Sequence, residues 1–403
     1  MTLKKFFEEY ITKKSIFLNK NAIQDDYTPE KIFYREKLIQ QIAGVLAPVL
    51  KQEKPSNLFI YGKTGTGKTL SIQNIRTELL TIAEEKTIPL KILYINCKLK
   101  RVSDTEYRII AELCRLLGTE VHETGLPTET VYKQFIKLIN EKKQIVILVL
   151  DEIDQLVYSA GDEVLYSLTR LNSELTNSKI SLIGISNDLL FRDNLDSRIK
   201  SSLSEEEILF PPYDAVQLQK ILKDRAKLVF KEGSIEDGVL EKCAAHAARE
   251  HGDARRALEL LRVAGELAER KNNQKISLED LDEAQEKIER DRVLDAVEIQ
   301  PKQYQAVLFA IFQSTKNAMH SQTESIFTGD IYDLYKDICL KSTLKPLTQR
   351  RLSDIIGELD MLGVIKAKVM SKGRYGRTRK IQMGDIPPTT LVKIEKILKD
   401  ALF

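Results

Sequence analysis

At 403 residues the chain is long enough for two or three domains of roughly 150 residues and too long for a single small module. Its 62 basic and 59 acidic residues nearly cancel to +3, so the whole-chain charge does not announce a polyanion-binding protein, and any basic surface has to be local. With 42% hydrophobic and 30% charged residues, the composition is that of a soluble globular protein and excludes wholesale disorder or a collagenous chain.

The opening MTLKKFFEEYI carries acids inside its apolar stretch and no small-residue cleavage site, so it does not read as a signal peptide, and a cytoplasmic location is expected. Residues 1–55 read as a polar, helix-prone lead-in that turns amphipathic after Pro29. From residue 57 the strand-length apolar runs NLFIYG, KILYIN, IVILVLD and ISLIGIS alternate with helix-period segments, which predicts an α/β domain with a parallel sheet flanked by helices. The longest aliphatic run, Ile145 to Leu150, has six residues where a membrane-spanning helix needs about 20, so no membrane partner is expected. Cys97, Cys114, Cys243 and Cys339 are widely spaced and show no ligand pattern with the four His residues; buried reduced thiols are expected, with neither zinc nor disulfides.

After the breaker FPPYD at 210–214, the segments VQLQKILKDRAKLVF, VLEKCAAHAARE and ARRALELLRVAGELAERK read as the amphipathic helices of a small helical domain. A third block starts near Pro301. Its helical patterns YQAVLFAIFQS, GDIYDLYKDICL and QRRLSDIIGELDML precede a hairpin signal, VIKAKVM, SKGRYGRT, RKIQM, in the order of a winged helix. Residues 290–300 and 384–390, the latter with Pro387 and Pro388, read as linkers, and no internal repeat is visible.

The strongest chemical signal is Gly62-Lys63-Thr64-Gly65-Thr66-Gly67-Lys68-Thr69, a full GxxxxGK[ST] match between a strand and a helix. Gly62, Gly65 and Gly67, with Thr66, let backbone N–H groups turn in around phosphates. Lys68 supplies a cation near the β and γ groups, and Thr69 offers a hydroxyl to Mg²⁺. Some 80 residues later IVILVLDEID ends a strand on Asp151, expected to hold Mg²⁺ through water or directly, and Glu152, expected to polarise the attacking water. Asn187 stands just past the next strand, where it would orient that water.

These pieces, followed by a helical domain carrying Gly252-Asp253-Ala254-Arg255, resemble the AAA+ ATPases. The resemblance makes Asn187 sensor 1 and Arg255 sensor 2, with Arg256 the next-best choice. The stretches YTPEKIFYREKLIQQIA, YINCKLKRVSDTEYRIIAEL, TGLPTETVY, DSRIKSSL, LFPPYDAVQLQKILKDRA, GDARRALELLRVAGELAE, LTQRRLSDIIGELDMLGVI and SKGRYGRTR narrow it further. Over residues 20–385 they closely resemble the archaeal origin-recognition and replication-initiator AAA+ proteins, related to the large subunit of the origin recognition complex and to its helicase-loading partner.

That resemblance implies that Tyr213 and Arg225 contact the nucleotide from the lid side, that Arg35 and Glu36 border the adenine pocket, and that Arg198 is an arginine-finger candidate acting on a neighbouring subunit. For DNA, LTQRRLSDIIGELDML reads as the recognition helix. Thr348, Gln349, Arg350 and Arg351 stand in its first turn, and basic residues there oppose the helix dipole unless an anion is present. The hairpin carries Lys366, Lys368, Lys372, Arg374, Arg377, Arg379 and Lys380 with no acid among residues 366–380. Gly373 and Gly376 thin its tip around Tyr375, which suits a minor groove. The family likeness adds an initiator-specific insertion at about 100–135 whose turn Thr124-Gly125-Leu126-Pro127 would approach the DNA backbone.

The expectation is therefore an α/β AAA+ P-loop core (1–212), a helical lid (213–295) and a winged helix (296–403). Residues 301–403 hold 17 basic and 10 acidic side chains and residues 1–300 hold 45 and 49, so the neutral total conceals a basic reader on an acidic motor. The chain would bind ATP or ADP with Mg²⁺ and recognise double-stranded origin DNA on the nucleoid. As a weak, switch-like ATPase it would help load the replicative helicase, with paralogous initiators or further copies of itself as DNA-bound partners. Alternatives of other classes are a nucleotide-responsive transcription regulator and a clamp-loader-like motor.

Overall fold

The four strand-length apolar runs lie side by side in one parallel sheet. The structure, a computed structural model, describes residues 15–24, 27–29, 31–98, 105–121, 126–203, 206–321, 326–371, 377–384, 386 and 388–403. In chain order the first elements are α1 (Glu36–Leu46), β1 (Leu58–Tyr61), α2 (Lys68–Glu85), β2 (Leu90–Asn96), α3 (Glu106–Leu116) and α4 (Thr128–Asn140). They continue with β3 (Ile145–Asp151), α5 (Ile153–Ala160), α6 (Glu163–Arg170), β4 (Lys179–Ser186), α7 (Ser197–Leu203) and β5 (Glu206–Leu209). The strand order is β2-β3-β4-β1-β5, every pairing parallel. β5 was not anticipated: it is a polar edge strand, EEIL, in which only Ile208 is buried, so it leaves no apolar run in the sequence.

β3 is buried at all seven positions because it has a strand on each side and helices on both faces. Its alternate residues feed two cores. Val146, Leu148 and Leu150 pack with α3 to α6, and Ile147 and Val149 pack with Ile42 and Leu46 of α1 and Ile72, Ile75 and Leu79 of α2. The β3 chain direction therefore delivers Asp151 to the carboxyl edge of the sheet, beside the loop that follows β1.

The helices α8 (Ala215–Val229), α9 (Val239–Arg249), α10 (Ala254–Arg270) and α11 (Leu278–Glu298) follow. Asp214 and Gln217 form a reciprocal cap on α8, and Asp253 caps α10 by accepting from the N–H groups of Arg255 and Arg256. The lead-in is more than a helix-prone overture. Residues 16–22 strap the lid: the N–H of Leu18 donates to Val229 O at 2.7 Å, that of Lys231 to Ile16 O at 3.0 Å, and Phe17 meets Phe230 at 4.9 Å.

Residues 1–281 and 282–403 form two compact units. In the second are α12 (Lys302–Ser321), β6 (Ile326–Phe327), α13 (Thr328–Lys341), α14 (Gln349–Met361), β7 (Ile365–Ser371), β8 (Arg377–Met383) and α15 (Pro388–Leu402). The three strands pair antiparallel in the order β6-β8-β7. Both linker readings are corrected. Residues 290–298 are helical and Val297 is fully buried, because the charge-rich sequence is one face of α11. Pro388 starts α15, where a proline's fixed φ suits a first helical turn, and Ile394, Leu398 and Leu402 enter the core of this unit. All four cysteines are buried and free. Among the described residues no helix is long and apolar enough to cross a membrane.

Candidate nucleotide site and nucleic-acid interface

The loop between β1 and α2 is built from inward-turned backbone. Gly65 (φ 69°) and Gly67 (φ 92°) occupy the left-handed region, and a Cβ on Gly65 would overlap the Asp253 carboxylate. Lys68, 5% exposed, folds its ammonium back onto Gly62 O (2.6 Å), Lys63 O (2.8 Å) and Asn187 Oδ1 (2.9 Å). Burial pulls its pKa down to about 8; Asp151 opposes that shift and the charge of Arg255 adds to it. The site thus holds a cation under electrostatic tension that phosphate charge would relieve. Thr66 is buried and donates to Lys63 O at 2.8 Å, which tightens the turn.

The strand ends meet this loop. Asp151, 3% exposed, accepts from Thr69 Oγ1 at 2.8 Å and from the Tyr94 hydroxyl at 2.6 Å, both on Oδ2, and from the Glu152 N–H at 3.0 Å on Oδ1. Glu152 has left-handed backbone angles (φ 54°, ψ 47°), a conformation that costs about 1 kcal/mol or more and clusters at functional sites. Burial pushes its carboxyl pKa up and Lys98 opposes the shift, as suits a group that accepts a proton. Asp154 Oδ1 accepts from Ser186 Oγ at 2.9 Å and from the Asn187 N–H at 3.4 Å, so the fourth residue of DEID steadies the turn that presents Asn187.

The lid closes on the same loop. The N–H of Ala254 donates to Gly65 O at 3.2 Å, that of Tyr213 donates to Gly252 O at 3.2 Å, and Lys63 Nζ lies 3.3 Å from His251 Nδ1. This distinguishes the two lid arginines. Arg256 is held by Glu250 (3.0 Å) and Glu259 (3.2 Å), whereas Arg255 is exposed into a cavity of about 480 Å³ shared with Lys68, Thr69, Glu152 and Asn187. Tyr213 also lines this cavity, buried beneath the Arg35 guanidinium, which lies 3.8 Å over its ring and donates to Thr66 O at 2.9 Å. Arg35 is therefore a brace between phosphate loop and lid, and Glu36 is not part of the cavity lining, receiving instead the Tyr34 N–H at 3.3 Å.

Arg225 reaches the cavity wall but is already engaged: it donates to Ala22 O at 2.6 Å and lies 4.4 Å over the Tyr27 ring. Tyr27, Ile32 and Phe33 complete the apolar end of the cavity. Nothing in the sequence assigns any of them to a pocket, although all three lie in the stretch YTPEKIFYREKLIQQIA, which turns amphipathic after Pro29. Arg198 stands apart from the cavity lining, exposed on α7, paired with Asp196 at 3.0 Å and 5.1 Å from the Tyr166 ring centre. For a hard divalent cation, the Thr69 hydroxyl and the Asp151 carboxylate supply suitable oxygen donors. Among the described residues no three His, Cys, Asp or Glu side chains converge to hold a metal alone, so phosphate and water oxygens would complete its shell.

In the second unit Thr348 is the N-cap of α14, its hydroxyl accepting from the Arg351 N–H at 3.4 Å, so this side chain is committed to the helix. Gln349, Arg350 and Arg351 are exposed. Arg351 answers the dipole mismatch internally, with Glu358 at 3.4 Å and the Tyr304 hydroxyl at 3.2 Å. Arg350 has no ion-pair or hydrogen-bond partner among the described residues. The turn before α14 is held by three side chains. Tyr332 donates to Leu347 O (3.2 Å), Gln303 to Lys345 O (3.1 Å), and fully buried Tyr335 accepts from the Leu347 N–H (3.0 Å) while donating to Gln303 (2.5 Å). Arg379 lies against Gly357 of α14, where a Cβ would meet its guanidinium at 2.7 Å, so it braces the wing onto the helix. Lys372, Gly373, Arg374, Tyr375 and Gly376, with Thr124 and Gly125, lie outside the described residues, as does the side chain of Arg377. Leu126 is 42% exposed and Pro127 caps α4.

Comparison with known proteins agrees with this geometry. Residues 51–191 match an AAA domain, 219–286 the Cdc6 AAA+ ATPase-type lid domain, and 295–392 the CDC6 C-terminal winged helix domain. The chain is 49% identical to an ORC1-type DNA replication protein of Thermococcus onnurineus, covering 96% of this chain and 92% of that one. It is 48% identical to another from Pyrococcus furiosus, covering 98% and 93%. A structure of the Aeropyrum pernix ORC1 protein in complex with DNA superposes with a TM-score of 0.84 at 40% identity, covering 97% of this chain and 98% of that one. A phosphate loop closed by a capped lid helix, a winged helix, and this likeness over nearly the whole length place the chain in the family of ORC1-type DNA replication proteins.

Proposed function

We propose that this replication initiator binds double-stranded origin DNA and uses ATP binding with slow, magnesium-dependent hydrolysis as its switch. The observation that carries the reading is Arg255. It is borne by a lid helix whose first N–H, that of Ala254, donates to Gly65 O of the phosphate loop, and it faces Lys68, Glu152 and Asn187 across one cavity.

With ATP bound, Lys68 would exchange its carbonyl partners for β- and γ-phosphate oxygens, and Thr69 and Asp151 would hold Mg²⁺, which would supply charge neutralisation on the phosphates. Asn187 and Glu152 orient a water at the γ-phosphorus. As the new P–O bond forms and the bond to the β-γ bridging oxygen breaks, the water's proton passes to Glu152, whose raised pKa suits a proton acceptor. Arg255 stabilises charge on the departing γ-phosphate, so ATP and ADP differ in how firmly the lid is held. Tyr213 and Arg225 shape the nucleotide end from the lid side, and Arg198 acts on a neighbour's nucleotide when copies or paralogues assemble on DNA.

DNA is held at two places in this reading. Arg350 and Gln349 reach groove edges or phosphates, with Thr348 and Arg351 setting the helix start, and the wing residues 372–377 enter a minor groove. The turn 124–127 of the ATPase core supplies the second contact, and part of the specificity comes from duplex shape. The bound protein then recruits the replicative helicase on the nucleoid, in the cytoplasm. Footprinting across intergenic chromosomal DNA, with ATP, ADP or no nucleotide, tests this. Protection is expected at one or a few origins; protection confined to promoters, or equal binding of random duplex, overturns it.

A further inference from the structure

We propose that Tyr94 is a positioning residue for the magnesium-binding carboxylate of the nucleotide site, a role that rests on the ATP–magnesium reading above. Tyr94 lies on β2, paired with Val149 of β3, and Asn96 of the same strand pairs with Asp151. A tyrosine side chain is long enough to lean along the strand over that two-residue offset, and its hydroxyl arrives 2.6 Å from Asp151 Oδ2. That distance is in the range of a short, charge-assisted O–H to carboxylate bond.

The ring and the hydroxyl have separable duties. The ring packs at the margin of the core that Ile92, Ile147 and Val149 form with α2, which a phenylalanine would do equally well. The hydroxyl has its charged partner in Asp151, and Gln73 of α2 lines the same cavity. Asp151 is consequently fixed by donors from three elements: Thr69 at the start of α2, Tyr94 on β2, and the Glu152 N–H after β3. Thr69 and Tyr94 together occupy Oδ2, so Oδ1, which carries only the Glu152 N–H, is the oxygen left to face the cation or its water. A carboxylate held this way binds without reorganising, as hydrogen-bonded outer partners do for metal ligands generally. No motif reveals this residue, because the aromatic sits in a strand whose neighbours are all aliphatic or polar.

The test is the ratio of nucleotide affinity with saturating Mg²⁺ to that in EDTA, measured with a fluorescent ATP analogue on the full chain. Tyr94→Phe is expected to lower this ratio about tenfold. It is expected to add nothing on an Asp151→Asn background, because both changes act through one carboxylate. A ratio equal to wild type, including the case in which both affinities fall together, overturns the proposal and leaves Tyr94 a packing residue. Equal losses on the two backgrounds overturn it as well. A wild-type chain whose affinity ignores Mg²⁺ would instead defeat the underlying ATP–magnesium reading.

Discussion

The nucleotide cavity and the proposed DNA-facing side of the winged helix are built on opposite principles. In the first, apart from exposed Arg255, charge is largely buried and spoken for: Lys68, Asp151, Arg35 and Arg225 are each less than a tenth exposed and each has a partner. In the second, Gln349 and Arg350 are exposed, while order is concentrated one layer beneath, where Tyr332, Tyr335 and Gln303 fix the turn that leads into α14. A pocket for a small polyanion has to be preorganised because it replaces water around every charge. A surface for a duplex keeps its cations solvated and gains affinity by releasing counterions, so its geometry is set by the scaffold and not by pairing among its own side chains.

The largest effect expected is from Lys68→Ala, which should weaken nucleotide binding by a factor of 100 or more, roughly 3 kcal/mol, while duplex binding persists; calorimetric titration with each ligand checks both halves. Loss of both together would mean that the two regions depend on each other and are not separately built. The same lysine sets a pH limit. Its pKa in the free protein is about 8 and phosphate favours the charged form, so affinity is full below pH 8 and falls as pH rises above it, each bound nucleotide then taking up a proton. Next, Arg255→Ala should slow single-turnover hydrolysis about 100-fold, roughly 2.7 kcal/mol, and Arg256→Ala should mainly destabilise the lid by about 1 kcal/mol. The reverse pattern would exchange their roles.

Tyr335→Phe should lower the melting stability of the winged-helix unit by about 1–2 kcal/mol, because the Leu347 N–H and Gln303 lose a buried partner, and it should weaken duplex binding through the misplaced helix start. The smallest change expected is from Arg350→Ala, a several-fold loss of duplex affinity with the slope of log affinity against log salt reduced by about 1. An unchanged slope would remove this side chain from the phosphate or base contacts.

The two regions also differ in how legible they are in the sequence. The P-loop glycines, Lys68, Thr69, Asp151, Glu152 and Asn187 were legible because each stands at a fixed offset from an apolar strand, and a parallel sheet brings successive strand ends to one edge. Tyr94 and Asp154 were missed, since one is an aromatic in a strand and the other the fourth residue of DEID. Both matter through what they touch. In the winged helix the order of elements was legible but β6, with two residues, and the helical continuation of 290–298 were not; a two-residue strand has no period, and a charged surface helix resembles a linker.

Sequence alone determined four strands of a parallel sheet, the phosphate loop, the strand-end acids and the basic character of residues 301–403, because periodicity, glycine conformation and charge are local properties of the chain. Only the tertiary structure decided that Arg255 and not Arg256 faces the cavity, that Arg35 and Tyr213 brace loop to lid, that residues 16–22 strap the lid, and that Tyr27, Ile32 and Phe33 close the apolar end of the pocket. The reason is physical: adjacent residues on a helix point about 100° apart, and which of them is neutralised depends on acids such as Glu250 that only folding brings near.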